Sequence, residues 1–339
     1  MKDNDVKENE NPLNANEVNI WKRMYFNRRF ISEKSNSKVL YVHIPFCKSK
    51  CKYCVYSSNV PQSLNEMETF VKEVLPNHIR IYNDVLNQVS FEQVYFGGGT
   101  PTILAPKQLE EIFDNIPLFA SIPNKCIEAS PTTLTSEHIK LFESRRFNFL
   151  SLGIQSLDNR ILRKYGRPIV SKERLVSLCK EINMTGIFLN LDLICYLDKG
   201  DIRDLPRLEE DIRYILDNLH PSSITIHQHY QSFFTSEKTF CLVEILKKIT
   251  QDYPDYSCAN SSLEMDAEEI LTDTYNQAEY RLVINEQKDY RHYMWDKYAT
   301  LPVQGYDILS IGYTSNCHTT SNVNKMIYVA TNDTLVYSV

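Results

Sequence analysis

Cys47, Cys51 and Cys54 are spaced C-x3-C-x2-C and directly follow a short apolar segment from Tyr41 to Phe46. Three thiolates this close can hold three irons of a [4Fe–4S] cube and leave the fourth iron without a protein ligand. An open iron is a place for a substrate or cosubstrate to bind. Zinc is the competing reading, but a structural zinc site takes four ligands, usually as two separated pairs. No second cysteine pair of that kind occurs in the chain. The spacing therefore points to an iron–sulfur site on these three residues.

Other residue types suited to a ligand follow in order. Gly97, Gly98 and Gly99 run into Thr100 and Pro101 just after an apolar segment. Missing side chains let a backbone approach a ligand closely; a plain strand-to-helix turn with Pro101 near the helix start is the alternative. The glycine spacing fits neither a dinucleotide nor a P-loop fingerprint. Glu128 ends an apolar run, where a carboxylate suits a ribose diol or, alternatively, a rim salt bridge. Gln155 and Asp192 are polar groups inside apolar runs, so each needs a partner, in the protein or in a ligand. Arg167 is able to pair bidentately with a carboxylate, or to sit solvated in a loop. His227 and His229, two apart on a predicted strand, face the same way. A metal pair is one reading. Rim or substrate contact is preferred, because no third ligand is evident.

These residues need a scaffold. Apolar, β-branched or aromatic runs predict strands at 38–44, 92–97, 125–129, 148–155, 187–195 and 222–228. Helical patterns at 63–86, 106–115, 134–145, 157–165, 172–184 and 203–219 separate them. Thr135 with His138, and Ser171 with Arg174, mark helix starts without completing a capping box. Six β/α units in succession argue for an α/β fold with a parallel sheet, doubly wound or curled into a barrel. In such barrels chemistry sits at the C-terminal ends of the strands. The cysteines, the glycine run, Glu128, Gln155, Asp192 and His227 all fall at or near that rim. Residues 1–18 read as disordered, and 20–31 as a short helix packed on the main domain. Beyond the sixth strand the pattern is less regular: helices are expected at 234–251 and 263–280, and a strand running into a polar turn at 306–316. The expected units are an N-terminal extension at 1–37, a core at 38–232 and a C-terminal extension at 233–339.

Bulk properties narrow the function. The chain has 339 residues, 42% of them hydrophobic, and a formal net charge of -6, which lends a nucleic-acid role no electrostatic support. The remaining six of its nine cysteines are scattered, mostly in apolar segments, and read as buried structural thiols. That usage suits a reducing cytoplasm better than a secreted disulfide framework. The polar N-terminus reads as lacking a signal-peptide core. No apolar stretch approaches the roughly 20 residues of a membrane helix.

Taken together, the cysteine run, Gly-Gly-Gly-Thr-Pro at 97–101, Ile-Glu-Ala at 127–129, Gly-Ile-Gln-Ser at 153–156, Gly-Arg-Pro at 166–168 and Asn-Leu-Asp-Leu at 190–193 resemble the radical S-adenosylmethionine (SAM) family. More narrowly they resemble its oxygen-independent coproporphyrinogen III oxidase branch. The likeness covers about residues 38–230, and is faint over 280–320. It implies a partial (β/α)6 barrel with an irregular α+β C-terminal extension. It implies that Cys47, Cys51 and Cys54 bind a [4Fe–4S] cluster whose open iron is chelated by SAM. Tyr41 and Tyr53 would line the adenosyl site, and Gly98, Gly99 and Thr100 would hold the methionine end. Glu128, Gln155, Arg167 and Asp192 would contact one or two SAM molecules. Residues near Ile226 to Gln228 and a turn near Asn316 would complete the pocket.

The implied activity is reductive cleavage of SAM to a 5′-deoxyadenosyl radical that abstracts hydrogen from a small organic substrate. A low-potential donor such as flavodoxin or ferredoxin would supply the electron. Two departures bear on the substrate. The branch carries a further cysteine two residues after the last ligand, where this chain has Tyr56. The C-terminal extension also reads as shortened. Both favour radical methyl transfer with two SAM over coproporphyrinogen III oxidation. A haem-binding chaperone without turnover is a third possibility, with His227, His229, His292 or His318 as the axial ligand.

Overall fold

The computed structural model describes residue 24 and residues 27–32, 37–54, 56–195, 205–228, 236–258, 279–284, 307–312, 316–320 and 326–330. Its frame is one sheet. The strands are β1 (Lys38–Ile44), β2 (Gln93–Gly98), β3 (Asn124–Ala129), β4 (Phe149–Gln155), β5 (Phe188–Cys195), β6 (Ser223–Gln228), β7 (Tyr256–Cys258), β8 (Glu279–Ile284), β9 (Asp307–Gly312), β10 (Asn316–Thr320) and β11 (Met326–Ala330). They lie in the order β11-β10-β9-β1-β2-β3-β4-β5-β6-β8-β7. The seven from β9 to β6 are parallel, with antiparallel pairs at both ends. The sheet is open, because β11 and β7 remain edges.

The six predicted core strands form within a residue or two of their expected places. A seventh parallel strand, β9, joins beside β1 from the segment predicted as strand and turn. A buried ion pair of Lys38 with Asp307 fastens β9 to β1 across 269 residues of sequence. Phe30, from the helical turn at 27–32, packs under the same ammonium at 4.8 Å. The predicted short N-terminal helix thus docks on the sheet. Residues 1–18 and most of 263–280 lie outside the described residues, and Glu279 and Tyr280 belong to β8 rather than a helix.

Alternation along each strand divides the sheet into two chemically distinct faces. Leu40, Val42, Ile44, Val94, Phe96, Ile127, Leu150, Leu152, Leu189, Leu191, Ile224 and Ile226 share one apolar core with the helices. The helix Lys172–Asn183 adds Leu175, Leu178, Cys179 and Ile182, spaced for one helical face. Each such side chain contributes about 1.5–3 kcal/mol by leaving water. The intervening positions carry Tyr41, His43, Tyr95, Glu128, Ser151, Asn190, Asp192, Thr225 and His227. That opposite face is polar, and the site is built on it.

Two local details depart from expectation. The single helix predicted at 63–86 is divided into Leu64–Thr69, a π turn at Phe70–Val74, Leu75–Ile81 and Asn83–Gln88. Pro76 explains the π turn: it lacks an N–H and its ring clashes with the carbonyl four residues earlier. Thr135 and His138 do complete a capping box. Thr135 Oγ1 accepts from the His138 N–H at 3.4 Å, and His138 Nδ1 accepts from the Thr135 N–H at 3.2 Å. The imidazole takes the place normally held by Glu or Gln.

Candidate active site

The cysteine loop begins where β1 ends. Phe46 is buried edge-on against Phe70 at 5.4 Å and anchors its start. Cys47 N–H donates to Asn59 O at 2.8 Å, and Asn59 N–H to Pro45 O at 2.8 Å, which closes the loop. Lys50 Nζ ties its far side together, reaching Tyr56 O at 3.0 Å, Ser58 O at 3.1 Å and Ser58 Oγ at 3.0 Å. From beneath, His43 Nε2 donates to Ser57 O at 2.9 Å. That carbonyl fixes the tautomer, so His43 Nδ1 accepts from the Tyr41 hydroxyl at 3.3 Å. Burial lowers the His43 pKa and keeps the ring neutral. Tyr41 therefore acts on His43 and stacks on Tyr95 at 6.1 Å, behind the site wall.

The glycine run also seats the cysteine loop, which the sequence did not suggest. Gly99 N–H donates to Ile44 O and Thr100 N–H to Phe46 O, each at 2.7 Å. A Cβ on Gly99 would lie 2.4 Å from Phe46 O, and one on Gly98 2.8 Å from the His43 ring. The missing side chains thus admit the chain's own cysteine loop. Gly98, at φ 109°, uses a conformation open to glycine. Thr100 Oγ1 then stands 3.6 Å from Cys47 Sγ.

A cavity of about 390 Å³ opens over these groups. Cys47, Cys51, Cys54, Tyr53, Gly98, Gly99, Thr100, Glu128, Gln155, Arg167 and Asp192 all line it; Tyr41 and Ile226 do not, whereas His227 does. His229 and His292 lie outside the described residues, as does the side chain of Gln228. Tyr95, Ser151, Asn190 and Thr225 complete the wall and were not singled out from the sequence. Their signal was available: each is a polar or aromatic residue at the alternate, inward position of a predicted strand.

The acidic side of the cavity is tightly bonded. Glu128 Oε1 accepts from the Tyr95 hydroxyl at 2.9 Å, and the carboxylate also accepts from Gly98 N–H. Burial pushes the Glu128 carboxyl up to about 8, with the Tyr95 bond opposing and the Asp192 charge adding to the rise. Asp192 Oδ2 accepts from Ser151 Oγ at 2.6 Å and Oδ1 from Asn190 Nδ2 at 2.7 Å. His227 Nε2 stands 3.6 Å from Asp192 Oδ1. Asn190, in turn, accepts from Ser223 at 2.7 Å and Thr225 at 2.9 Å.

On the cysteine side, Arg167 Nη1 donates to the Tyr53 hydroxyl at 3.0 Å and reaches Cys51 Sγ at 3.7 Å. Its Nη2 donates to Gly153 O. Gln155 sits at φ 69° after a bulge in β4, and its amide lies beside Arg167 over the bare face of Gly153. The three thiols are free and half-buried. Each has its own polar neighbour: Thr100 for Cys47, Arg167 and Tyr53 for Cys51, and the Tyr56 backbone for Cys54. Among the described residues no group of three or more His, Cys, Asp or Glu side chains surrounds a single ion. Three soft thiolate donors with hydrogen-bond donors at their sulfurs fit an iron–sulfur cluster.

The family model of the Radical SAM superfamily matches residues 41–212, half of the chain. The chain belongs to the radical SAM superfamily. A radical S-adenosyl methionine domain-containing protein 1, mitochondrial, of Bos taurus is 28% identical over 163 residues, 47% of this chain and 36% of that protein. An oxygen-independent coproporphyrinogen III oxidase of Helicobacter pylori is 32% identical over 162 residues, 46% of this chain and 35% of that protein. The heme chaperone HemW of Bacillus subtilis is 30% identical over 162 residues, 45% of this chain and 42% of that protein. The chain thus spans less than half the length of these relatives. The solved coproporphyrinogen III oxidase HemN from Escherichia coli shares the fold, with a TM-score of 0.64 at 17% identity over 87% of this chain and 67% of that one. Membership of the radical SAM superfamily implies a [4Fe–4S] cluster and SAM. Among the described residues no helix is long and apolar enough to cross a membrane.

Proposed function

We propose that this chain is an enzyme that cleaves SAM reductively and directs the resulting radical at a small organic substrate. One observation carries the reading: three free thiols and the polar faces of β2 to β6 line the same cavity. Cys47, Cys51 and Cys54 would hold the cluster, which would supply one electron, drawn from an external low-potential donor such as flavodoxin or ferredoxin, for reductive cleavage of SAM to methionine and a 5′-deoxyadenosyl radical able to take a hydrogen atom from carbon. The protein's own residues bind and enclose. Glu128, Gln155 and Asp192 offer hydrogen-bond partners for the hydroxyl and ammonium groups of one or two SAM molecules, and Tyr53 offers an aromatic wall. A reducing compartment such as the cytoplasm suits the free thiols.

Radical methyl transfer with two SAM is the favoured transformation. Tyr56 stands at the cavity where the oxidase branch has a cysteine. The charge of the wall also bears on the substrate. Asp192 is an acid, burial keeps the proton on Glu128 at neutral pH, and of the two Lys or Arg side chains on the wall, Lys48 and Arg167, the second is bonded to Gly153, Tyr53 and Cys51. A porphyrinogen with four carboxylates calls for more cationic contacts than that. Haem trafficking is the second reading, favoured by the match to HemW. An anaerobic assay with methyl-labelled SAM, run with cell extract and with coproporphyrinogen III, tests the choice. Label in a product supports methyl transfer. Protoporphyrinogen IX without label restores the oxidase. Stoichiometric haem binding with only background SAM cleavage supports the chaperone.

A further inference from the structure

The likeness to the family implies that Arg167 contacts SAM, and Arg167 lines the cavity; its geometry gives it a further contact, with the cysteine loop. The helix Asn159–Lys164 ends at Tyr165, and Gly166, at φ 71°, turns the chain back towards the cysteine loop. Tyr165 O accepts from Lys52 N–H at 3.0 Å, and the rings of Tyr53 and Tyr165 meet edge-on at 6.1 Å. This docking places Arg167 at the back of the cysteine loop. There Nη2 is held by Gly153 O, while Nη1 is shared between the Tyr53 hydroxyl and Cys51 Sγ. Tyr53 also hydrogen-bonds to Cys51. Cys51 therefore receives two side-chain donors, one of them a cation. The polar partner of Cys47 is a neutral hydroxyl, and that of Cys54 is a backbone N–H, with the Lys50 ammonium acting on Cys54 by its charge alone.

Hydrogen bonds to cluster sulfurs and nearby positive charge both favour the more negative, reduced state, and so raise a reduction potential. Guanidinium serves this role well because it stays protonated and its planar fork holds a fixed direction. We infer that Arg167 is a positioning residue that sets the reduction potential of the cluster held by Cys47, Cys51 and Cys54, through its N–H contact with the Cys51 sulfur and with Tyr53 as the second donor. The inference rests on the radical SAM reading of the site. The redox step is a one-electron reduction of the cluster, with the electron taken from an external low-potential reductant.

The test is an anaerobic potentiometric titration of the reconstituted full chain, followed by EPR and run without SAM, so that a lost SAM contact cannot move the result. Arg167→Gln removes the charge and the fork and should give a more negative midpoint potential than wild type. Arg167→Lys keeps the charge and should shift it less. Tyr53→Phe removes one donor and should shift it in the same direction. An unchanged potential in Arg167→Gln, at wild-type iron content, overturns the inference. If Arg167→Gln does not load iron, Tyr53→Phe decides, and an unchanged potential there overturns it. A wild-type protein that takes up no iron defeats the cluster reading itself, a result distinct from either.

Discussion

The Tyr95 hydroxyl donates to Glu128 Oε1 at 2.9 Å, inside a cavity that raises the Glu128 carboxyl to about 8. At neutral pH the folded protein thus holds a proton on Glu128 that an unfolded chain has released. A raised folded pKa means stability that is present below the unfolded value of 4.5 and lost as pH climbs through about 8. Relative to Glu128→Gln, which does not titrate, wild type without SAM should lose on the order of 5 kcal/mol across that window. Tyr95→Phe removes a bond that lowers the Glu128 pKa, so the loss should move to higher pH. Urea unfolding at several pH values between 5 and 9 checks both. Parallel profiles for wild type and Glu128→Gln would remove the claim.

Asn190 is the structural centre of the opposite wall. It donates to Ser151 and Asp192 and accepts from Ser223 and Thr225. Asn190→Ala leaves these partners unmatched in a buried setting and should cost about 2–4 kcal/mol. Chemical denaturation measures it. A loss below about 0.5 kcal/mol would show that the network rearranges without it.

Gly99→Ala should act through the cysteine loop. Its Cβ would meet the Phe46 backbone oxygen at 2.4 Å, which forces the cysteine loop away from β2. The expected outcome is lower iron content after reconstitution, together with a lower melting temperature. Iron retention and a melting temperature equal to wild type would mean the loop docks in another way.

Asp192 gives a separate check on ligand contact. Replacing it with Asn keeps the shape but removes the charge beside His227, and places an amide where Ser151 and Asn190 donate. SAM affinity of the cluster-loaded protein should fall about tenfold, the equivalent of one buried polar contact of roughly 1–3 kcal/mol. Calorimetry decides it, and unchanged affinity would take Asp192 out of the SAM site.

The parts that were legible in the chain are those with local causes. Runs such as Lys38 to Ile44 and Phe188 to Cys195 read as strands because their apolar residues recur with strand spacing. The rim residues read as a site because each ends such a run. What escaped depends on contacts between distant segments. Nothing near Asp307 signals that it will meet Lys38 and add a seventh parallel strand. The glycine run was read as making room for a ligand; Gly98 and Gly99 do line the cavity, and the space a Cβ would need at them is also taken by His43 and Phe46, a contact the sequence did not signal. Tyr41 was placed in the cavity wall, but the hydroxyl is turned to His43. Asn190 was hidden in plain sight, two residues before Asp192 on the same strand face.

The account stands or falls on chemistry at the three cysteines. The direct measurement is anaerobic reconstitution of wild type and Cys54→Ala with iron and sulfide, followed by iron analysis, low-temperature EPR and an assay for 5′-deoxyadenosine with SAM and a low-potential reductant. Wild type should hold about four irons per chain and form 5′-deoxyadenosine, and Cys54→Ala should form none. A folded wild-type protein that takes up zinc and no iron, or equal 5′-deoxyadenosine from both proteins, would contradict it.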